Sequence, residues 1–375
     1  MNKKEVTEIR RVCKVDSPYC VLNRVVFSVV DAEANIRTTQ NRSAALLTDR
    51  ELDMYYKIFR QIISTKLCKK FVEYDFPNEA YEAGGEQSKL YSLLTDNFNT
   101  DHIINEYVEH ISDNLSYTGP YAVVMGHFTY SVAYRNAAGS DEKYRREDYN
   151  FVVCAICPVV FIDSGFAFDF STNQLSTSTE NHLYVKPTPT DGFMFPAFND
   201  RSADVNSVIY YLSKPDSPNL SFIENVLGCK PQLSSVTETE LFKQTLKNAF
   251  GEDLDFSLLY ILNDMLSDMY DTFKDDTKPV MIDADAIAEL LASTKCDPEK
   301  IARFKTIYGI TFDSDLHLLN LIDNKIKLQT SEYSVSFSPA VGIEKIRTAI
   351  EDGQRAIKLS TDDAQVDVNG LSIEI

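Results

Sequence analysis

Residues 149–161, YNFVVCAICPVVF, are apolar at both the odd and the even positions. A strand of this kind has no side to give to water, so it belongs in the middle of a sheet. The stretch before it, YAVVMGHFTYSVAY, alternates instead. Ala122, Val124, Phe128, Tyr130 and Val132 make an apolar face, and His127, Thr129 and Ser131 stand on a more polar one. That period marks a half-buried strand. The charged loop RNAAGSDEKYRRED joins the two, which predicts an antiparallel pair at the centre of the fold.

Other elements follow from period and punctuation. NKKEVTEIRRVC is a short helix with Val6, Ile9 and Cys13 on one side. Two strands flank the polar break Asp31–Asn35. A helix capped by Thr48 or Asp49 carries Leu52, Tyr55, Ile58, Phe59 and Ile62 as its stripe. A helical stretch from Gln87 to Asn114 breaks near Asn97–Asp101, and GFAFDF and HLYVKP are short strands. Further on, DFSLLYILNDMLSDMYDTF is amphipathic, with Leu258, Leu262, Met265, Met269 and Phe273 together. A helical hairpin runs from Asp283 to Gly309, with Asp297-Pro298 opening its second arm. The last fifty residues are short alternating strands, with Asp352-Gly353 and Asn369-Gly370 as two-residue turns.

The pattern predicts an α+β protein: a mixed, largely antiparallel sheet with helices, then a helical region, then a small C-terminal antiparallel β unit. The shift to Pro, Ser and Asn around residues 213–237 puts a boundary near Lys230. The expected domains are 1–230, 231–310 and 311–375.

Charge narrows the partners. The chain carries −19; residues 1–230 hold 23 Lys/Arg against 30 Asp/Glu, and residues 231–375 hold 14 against 26. Both parts repel phosphate backbones and anionic lipid, so nucleic acid is an unfavoured partner unless a local basic patch reverses the field, with Lys3, Lys4, Arg10 and Arg11 as the candidate. The seven cysteines are scattered and odd in number, and the basic start lacks a signal-like apolar stretch. No window is apolar enough to span a membrane. A reducing cytoplasm fits these features.

Few motifs carry chemistry. Glycine-rich dinucleotide and phosphate-loop signatures, His-Glu-x-x-His and Gly-x-Ser-x-Gly are missing. Cys154-Ala155-Ile156-Cys157 has the spacing of a metal knuckle, but on a strand residues three apart point to opposite faces, so no metal or cofactor is expected there. His127 is a possible general base, against the commoner role of a half-buried structural histidine. His102 and His110 are too far apart to share a metal. Lys300, Arg303 and Lys305 on the second arm of the hairpin would be needed for DNA contact, but Glu289, Asp297 and Glu299 surround them.

The densest knot of polar residues is Asn199-Asp200-Arg201-Ser202, inside GFMFPAFNDRSADVNSVIYY. These residue types fold a chain back on itself, with Arg201 held by Asp204 or Asp200. Side by side on a loop set by a rigid sheet, the same groups could also polarise a substrate. Asp200, Arg201, Asp204 and His127 are therefore the catalytic candidates.

MNKKEVTEIRR, GGEQ, VVCAICPVVF, GFMFPAFNDRSADVNSVIYY and the terminal VDVNGLSI together resemble the uncharacterised bacterial domain-of-unknown-function family 4317, over essentially the whole chain. The resemblance implies a bacterial, cytoplasmic protein and transfers no catalytic residue. The layout, α+β followed by a small sheet, also resembles that of nucleoid-associated proteins, a fold-level analogy without a shared motif. The sequence favours a non-enzymatic binding or interaction protein whose partner is a protein or small molecule. The alternatives are an enzyme with its site at Asn199–Asp204 and a nucleoid- or nucleic-acid-associated protein.

Overall fold

The computed structural model describes residues 1–135, 144–162, 166–169, 174–177, 182–276, 278–341, 343–351, 354–363, 365–368 and 371–374. The Asp352-Gly353 and Asn369-Gly370 turns, and residues 136–143 of the charged loop, lie outside them. The fold is α+β. The chain forms two compact units, one of residues 1–237 with 274–279, the other of residues 238–273 with 280–375.

The first unit opens with α1 (Lys3–Val12), which Asn2 and Glu5 close with a capping box. Then come β1 (Cys20–Val30), β2 (Ile36–Ser43), α2 (Asp49–Ile62, boxed by Thr48 and Glu51), β3 (Phe71–Asp75), α3 (Glu86–Asp96) and α4 (Asp101–Asn114). The long strands β4 (Tyr121–Arg135) and β5 (Tyr144–Ile162) pair antiparallel along their length. The short β6 (Phe166–Asp169), β7 (Gln174–Thr177) and β8 (His182–Val185) follow. After them β9 (Asp191–Phe195), β10 (Ala197–Asn199), β11 (Ser202–Asp204) and β12 (Ser207–Leu212) complete the unit. The main sheet runs β2-β1-β4-β5-β9-β12-β3, with β8 beside the far end of β5.

As its pattern requires, β5 is a central strand. The two sides of the sheet bury separate cores. Val153, Ala155 and Cys157 of β5 join Phe59, Ile62 and the α1 residues Val6 and Ile9 on one side. Val152, Cys154 and Ile156 join Leu90, Ile104, Val108 and Ile111 of α3 and α4 on the other. Cys154 and Cys157 thus point to opposite faces.

The reading of β4 as half-buried needs correction. Tyr121, Val123, Met125 and His127, on the side expected to be the more polar, are all buried. Alternation in a sequence reports which face is the less apolar. It does not report whether a helix covers that face, and here α3 and α4 do.

Two glycines mark where layers meet without room for a side chain. A Cβ on Gly126 would fall 2.8 Å from the Phe59 ring, and one on Gly192 would fall 2.3 Å from the Cys154 carbonyl oxygen and 2.6 Å from Ile62 Cδ1. The second contact is with backbone, which cannot rotate away.

The second unit is built from α5 (Ser235–Phe250), α6 (Phe256–Phe273), β13 (Met281–Ile282), α7 (Ala284–Ser293), α8 (Pro298–Thr311), β14 (Leu316–His317) and α9 (Leu318–Leu321). The hairpins β15–β16 (Ile326–Gln329, Ser334–Phe337), β17–β18 (Ile346–Glu351, Gln354–Leu359) and β19–β20 (Gln365–Val368, Leu371–Glu374) follow. On α6 the buried stripe is Leu258, Leu262 and Leu266, and Phe273 is exposed. The expected Asp283 and Asp297 caps both form, although α8 continues past Gly309 to Thr311. Glu238 is buried and accepts from the His317 amide at 2.7 Å and from Asn320 Nδ2 at 2.5 Å, pinning α5 to the β14–α9 segment.

Gly192→Ala should destabilise the protein by about 1–3 kcal/mol, the usual range for overpacking. Gly84→Ala, with φ +85 but nothing within 4 Å, serves as the control for conformational strain alone. Urea denaturation of the two variants checks this; equal losses would refute the close-approach account.

Candidate functional site

Asp200 and Arg201 have φ of 49° and 57°, so the hairpin β10–β11 closes on two residues in the left-handed region, the geometry its two-residue loop requires. For an arginine that conformation costs about 1–2 kcal/mol. Long-range contacts hold it. Arg201 Nε and Nη2 donate to Glu8 Oε2 and Oε1 at 3.1 and 2.7 Å, and Nη1 donates to the Ala133 carbonyl at 3.0 Å. Its guanidinium lies 5.3 Å from the Tyr134 ring centroid, and Tyr134 Oη donates to the Arg201 carbonyl. The carboxylate that holds Arg201 is therefore Glu8, 193 residues away, and neither Asp204 nor Asp200.

Glu8 also accepts from Tyr130 Oη at 2.6 Å. Burial pushes its carboxyl up, but the hydrogen bonds from Arg201 and Tyr130 bring it below its ordinary value. One turn earlier on α1, the buried Glu5 carboxylate lies against the backbone amides of Asp200 and Arg201; burial raises its pKa. Asn199 Nδ2 donates to Glu73 Oε1 at 2.6 Å and to Asp204 Oδ2 at 2.9 Å, and Glu73 also takes the Met1 amino group. Ser207 Oγ donates to Asp75 at 2.6 Å, and Lys278 pairs with Asp75 at 3.1 Å. The structure thus places Asn199, Arg201 and Asp204 around one turn but in two networks, Asn199 with Asp204 and Glu73 and Arg201 with Glu8, and leaves Asp200 and Ser202 exposed on its tip.

His127 is not part of it. Arg201 reaches α1 on one side of the sheet, whereas His127 packs edge-on to Phe98 on the other, at 5.7 Å between ring centroids. A bulge at Asn23 in β1 aims that side chain at the imidazole, and Asn23 Nδ2 donates to Nδ1 at 3.0 Å and to Thr129 Oγ1 at 2.8 Å. The proton is thereby assigned to Nε2, which faces the Leu94 carbonyl too loosely to close a hydrogen bond. Burial lowers the His127 pKa to about 4. The ring is fully buried and neutral, where a half-buried one was expected.

A different place collects unspent charge. Arg10, Lys14, Val15, Asp53, Tyr56, Lys57, Arg60 and Gln61 line a cleft of about 660 Å³ beside α1 and α2. Arg10 Nη1 donates to the carbonyls of Arg60 and Ile63, which α2 leaves without partners at its end, and so offsets the negative end of the helix dipole. Lys14 and Lys57 are exposed, and among the described residues Lys14, Lys57 and Arg60 form no ion pair. Burial lowers the Arg10 pKa, and Arg60 adds to the effect. Four cations against Asp53 can hold an anion. The signal in the sequence was local: residues 1–14 carry five Lys/Arg against two Glu in a strongly acidic chain. What it could not show was that Lys57 and Arg60 of α2 come to the same place.

Three of the other basic groups singled out are occupied. Lys4 pairs with Asp275 at 2.5 Å, Lys300 with Asp253 and Lys305 with Asp285. No group of three or more His, Cys, Asp or Glu among the described residues could hold a metal ion, and no helix among them is long and apolar enough to cross a membrane.

Fold and site together define an α+β protein with an antiparallel sheet covered on both faces and a cationic cleft beside one of them. The chain belongs to the family of the domain of unknown function DUF4317, whose model matches residues 1–371. Among curated proteins it has no match.

Arg201→Ala should cost about 1–3 kcal/mol, in the lower part of the range for a broken charge pair because the guanidinium is 38% exposed. Arg201→Gly should recover about 1 kcal/mol of that loss, since glycine takes the left-handed conformation without strain. Because the Glu8 pKa is depressed in the folded state, the ion pair stabilises fully above the unfolded glutamate value of about 4.3 and loses its effect as pH falls through the lower folded value. The gap between wild type and Arg201→Ala should therefore close in acid. A gap independent of pH would contradict the pairing.

His127 works in another window. Its folded pKa of about 4 lies below the unfolded value of about 6.5, so the unfolded chain takes up the proton first and stability falls as pH drops from 6.5 to 4. The loss should be on the order of 3 kcal/mol. In His127→Gln, denaturation midpoints across that window should lose this slope.

Proposed function

We propose that the protein is a non-enzymatic binding protein that holds a compact polyanionic small molecule, one carrying phosphate or several carboxylates, in the cleft beside α1 and α2. The observation that carries the reading is the convergence of Arg10, Lys14, Lys57 and Arg60 on one cleft in a chain of net charge −19. Isolated surface lysines need no explanation, but four cations facing one acid repel each other until an anion enters. The alternative of an enzyme at Asn199–Asp204 has less support, because Asn199, Arg201 and Asp204 bond within the protein and His127 is on the other side of the sheet. Duplex nucleic acid is disfavoured by the acidic surroundings of so small a basic area. Seven free cysteines suit the reducing cytoplasm of a bacterium.

Calorimetric titration of the full chain with inorganic pyrophosphate at low salt should show saturable binding that weakens as salt rises. The double variant Lys14→Ala/Lys57→Ala removes two exposed, unpaired side chains and should fold normally while losing affinity about tenfold or more. No binding by the wild type, equal binding by the variant, or tighter binding of a duplex DNA than of pyrophosphate would overturn the proposal.

A further inference from the structure

The second unit contains a cavity of about 330 Å³ beside α5, α6 and β15. That is at the lower end of the volumes of small-molecule pockets, roughly 300–1,000 Å³. Its walls are side chains such as Leu246, Leu259, Ile326 and Leu328. Leu259 is 41% exposed, so part of this apolar lining faces solvent, a cost that an apolar occupant would relieve.

The charged groups of the lining divide in two. Asp323 is neutralised by Lys243, whose Nζ lies 3.1 and 2.8 Å from its two oxygens. Lys247 and Lys327 line the same cavity, are exposed, and form no ion pair among the described residues. Among the described residues of the lining the one acid is thus spent, and two cations remain. Lysine stems lie along apolar walls while their ammonium heads stay in water, which sets positive charge where the cavity opens.

We propose that this cavity binds a free medium-chain carboxylic acid, its alkyl chain among the leucines and its carboxylate on Lys247 and Lys327. Charge complementarity selects the acid over an alcohol or amine of the same length, and the small volume selects a single chain over a two-chain membrane lipid. The site is separate from the cleft of the first unit and does not depend on that reading.

The chain has no tryptophan, so Leu259→Trp places a single fluorescent reporter in the lining. Titrating that variant with decanoate below its micellar concentration should shift the emission to shorter wavelength and saturate at one equivalent. Calorimetry on the wild-type chain gives the same affinity without a substitution in the lining. Decyltrimethylammonium, with the same tail and opposite charge, should bind at least tenfold more weakly. Lys247→Glu/Lys327→Glu should lower decanoate affinity at least tenfold and leave pyrophosphate binding unchanged. Lys14→Ala/Lys57→Ala should leave decanoate binding intact. Equal binding of the two amphiphiles would show apolar adsorption alone and overturn the proposal. So would failure of the wild-type chain to bind decanoate, or lysine-dependent capture by anionic phospholipid vesicles in preference to free acid.

Discussion

Burial of both faces of one antiparallel sheet sets the terms for everything else in the first unit. Such a sheet has no wet side on which a polar group can be placed at low cost. β4 and β5 therefore alternate between two apolar cores. The single imidazole among them is kept neutral, with a bulge in β1 supplying Asn23 as its partner. The same constraint demands glycine where β9 passes the backbone of β5. It also sends charged groups to the margins: the turn at the end of β10, where α1 meets it, and the ends of α1 and α2. Both clusters described in this unit are at those margins because the centre cannot hold them.

The elements were largely legible in the sequence because their determinants are local. Caps at Thr48, Asp283 and Asp297, the break between α3 and α4, and the apolar run of β5 each work within one element. Local pattern falls short where a second segment decides the outcome. The polar face of β4 could not be recognised as buried without α3 and α4. The acids nearest to Arg201 in sequence are Asp200 and Asp204, whereas its partner is Glu8 on α1. Charge pairing is a matter of space, and proximity along the chain is a poor guide to it once a hairpin projects onto another element.

The cationic cleft shows the same limit from the other side. Lys57 and Arg60 look like ordinary helix residues, and cations near a helix end normally complement its dipole. Their meaning changes because Arg10 already satisfies the terminal carbonyls of α2, so the remaining charges have no internal task. An acidic chain with a local excess of unpaired cations has a field that changes sign over a short distance. Under the proposed function, that contrast is what would select small anions over extended ones, whose outlying charges would meet repulsion.

The distance between Glu8 and Arg201 along the chain, 193 residues, also has a bearing on how the protein is made. At typical bacterial and eukaryotic synthesis rates of about 5–20 residues per second, α1 leaves the ribosome roughly 10–40 s before its clamp exists. During that interval the helix has an apolar side and no sheet to cover it, because the strands on which it rests are still being translated. The helix is thus made well before it is secured, and for that time its solubility depends on chaperones or on its own charged residues.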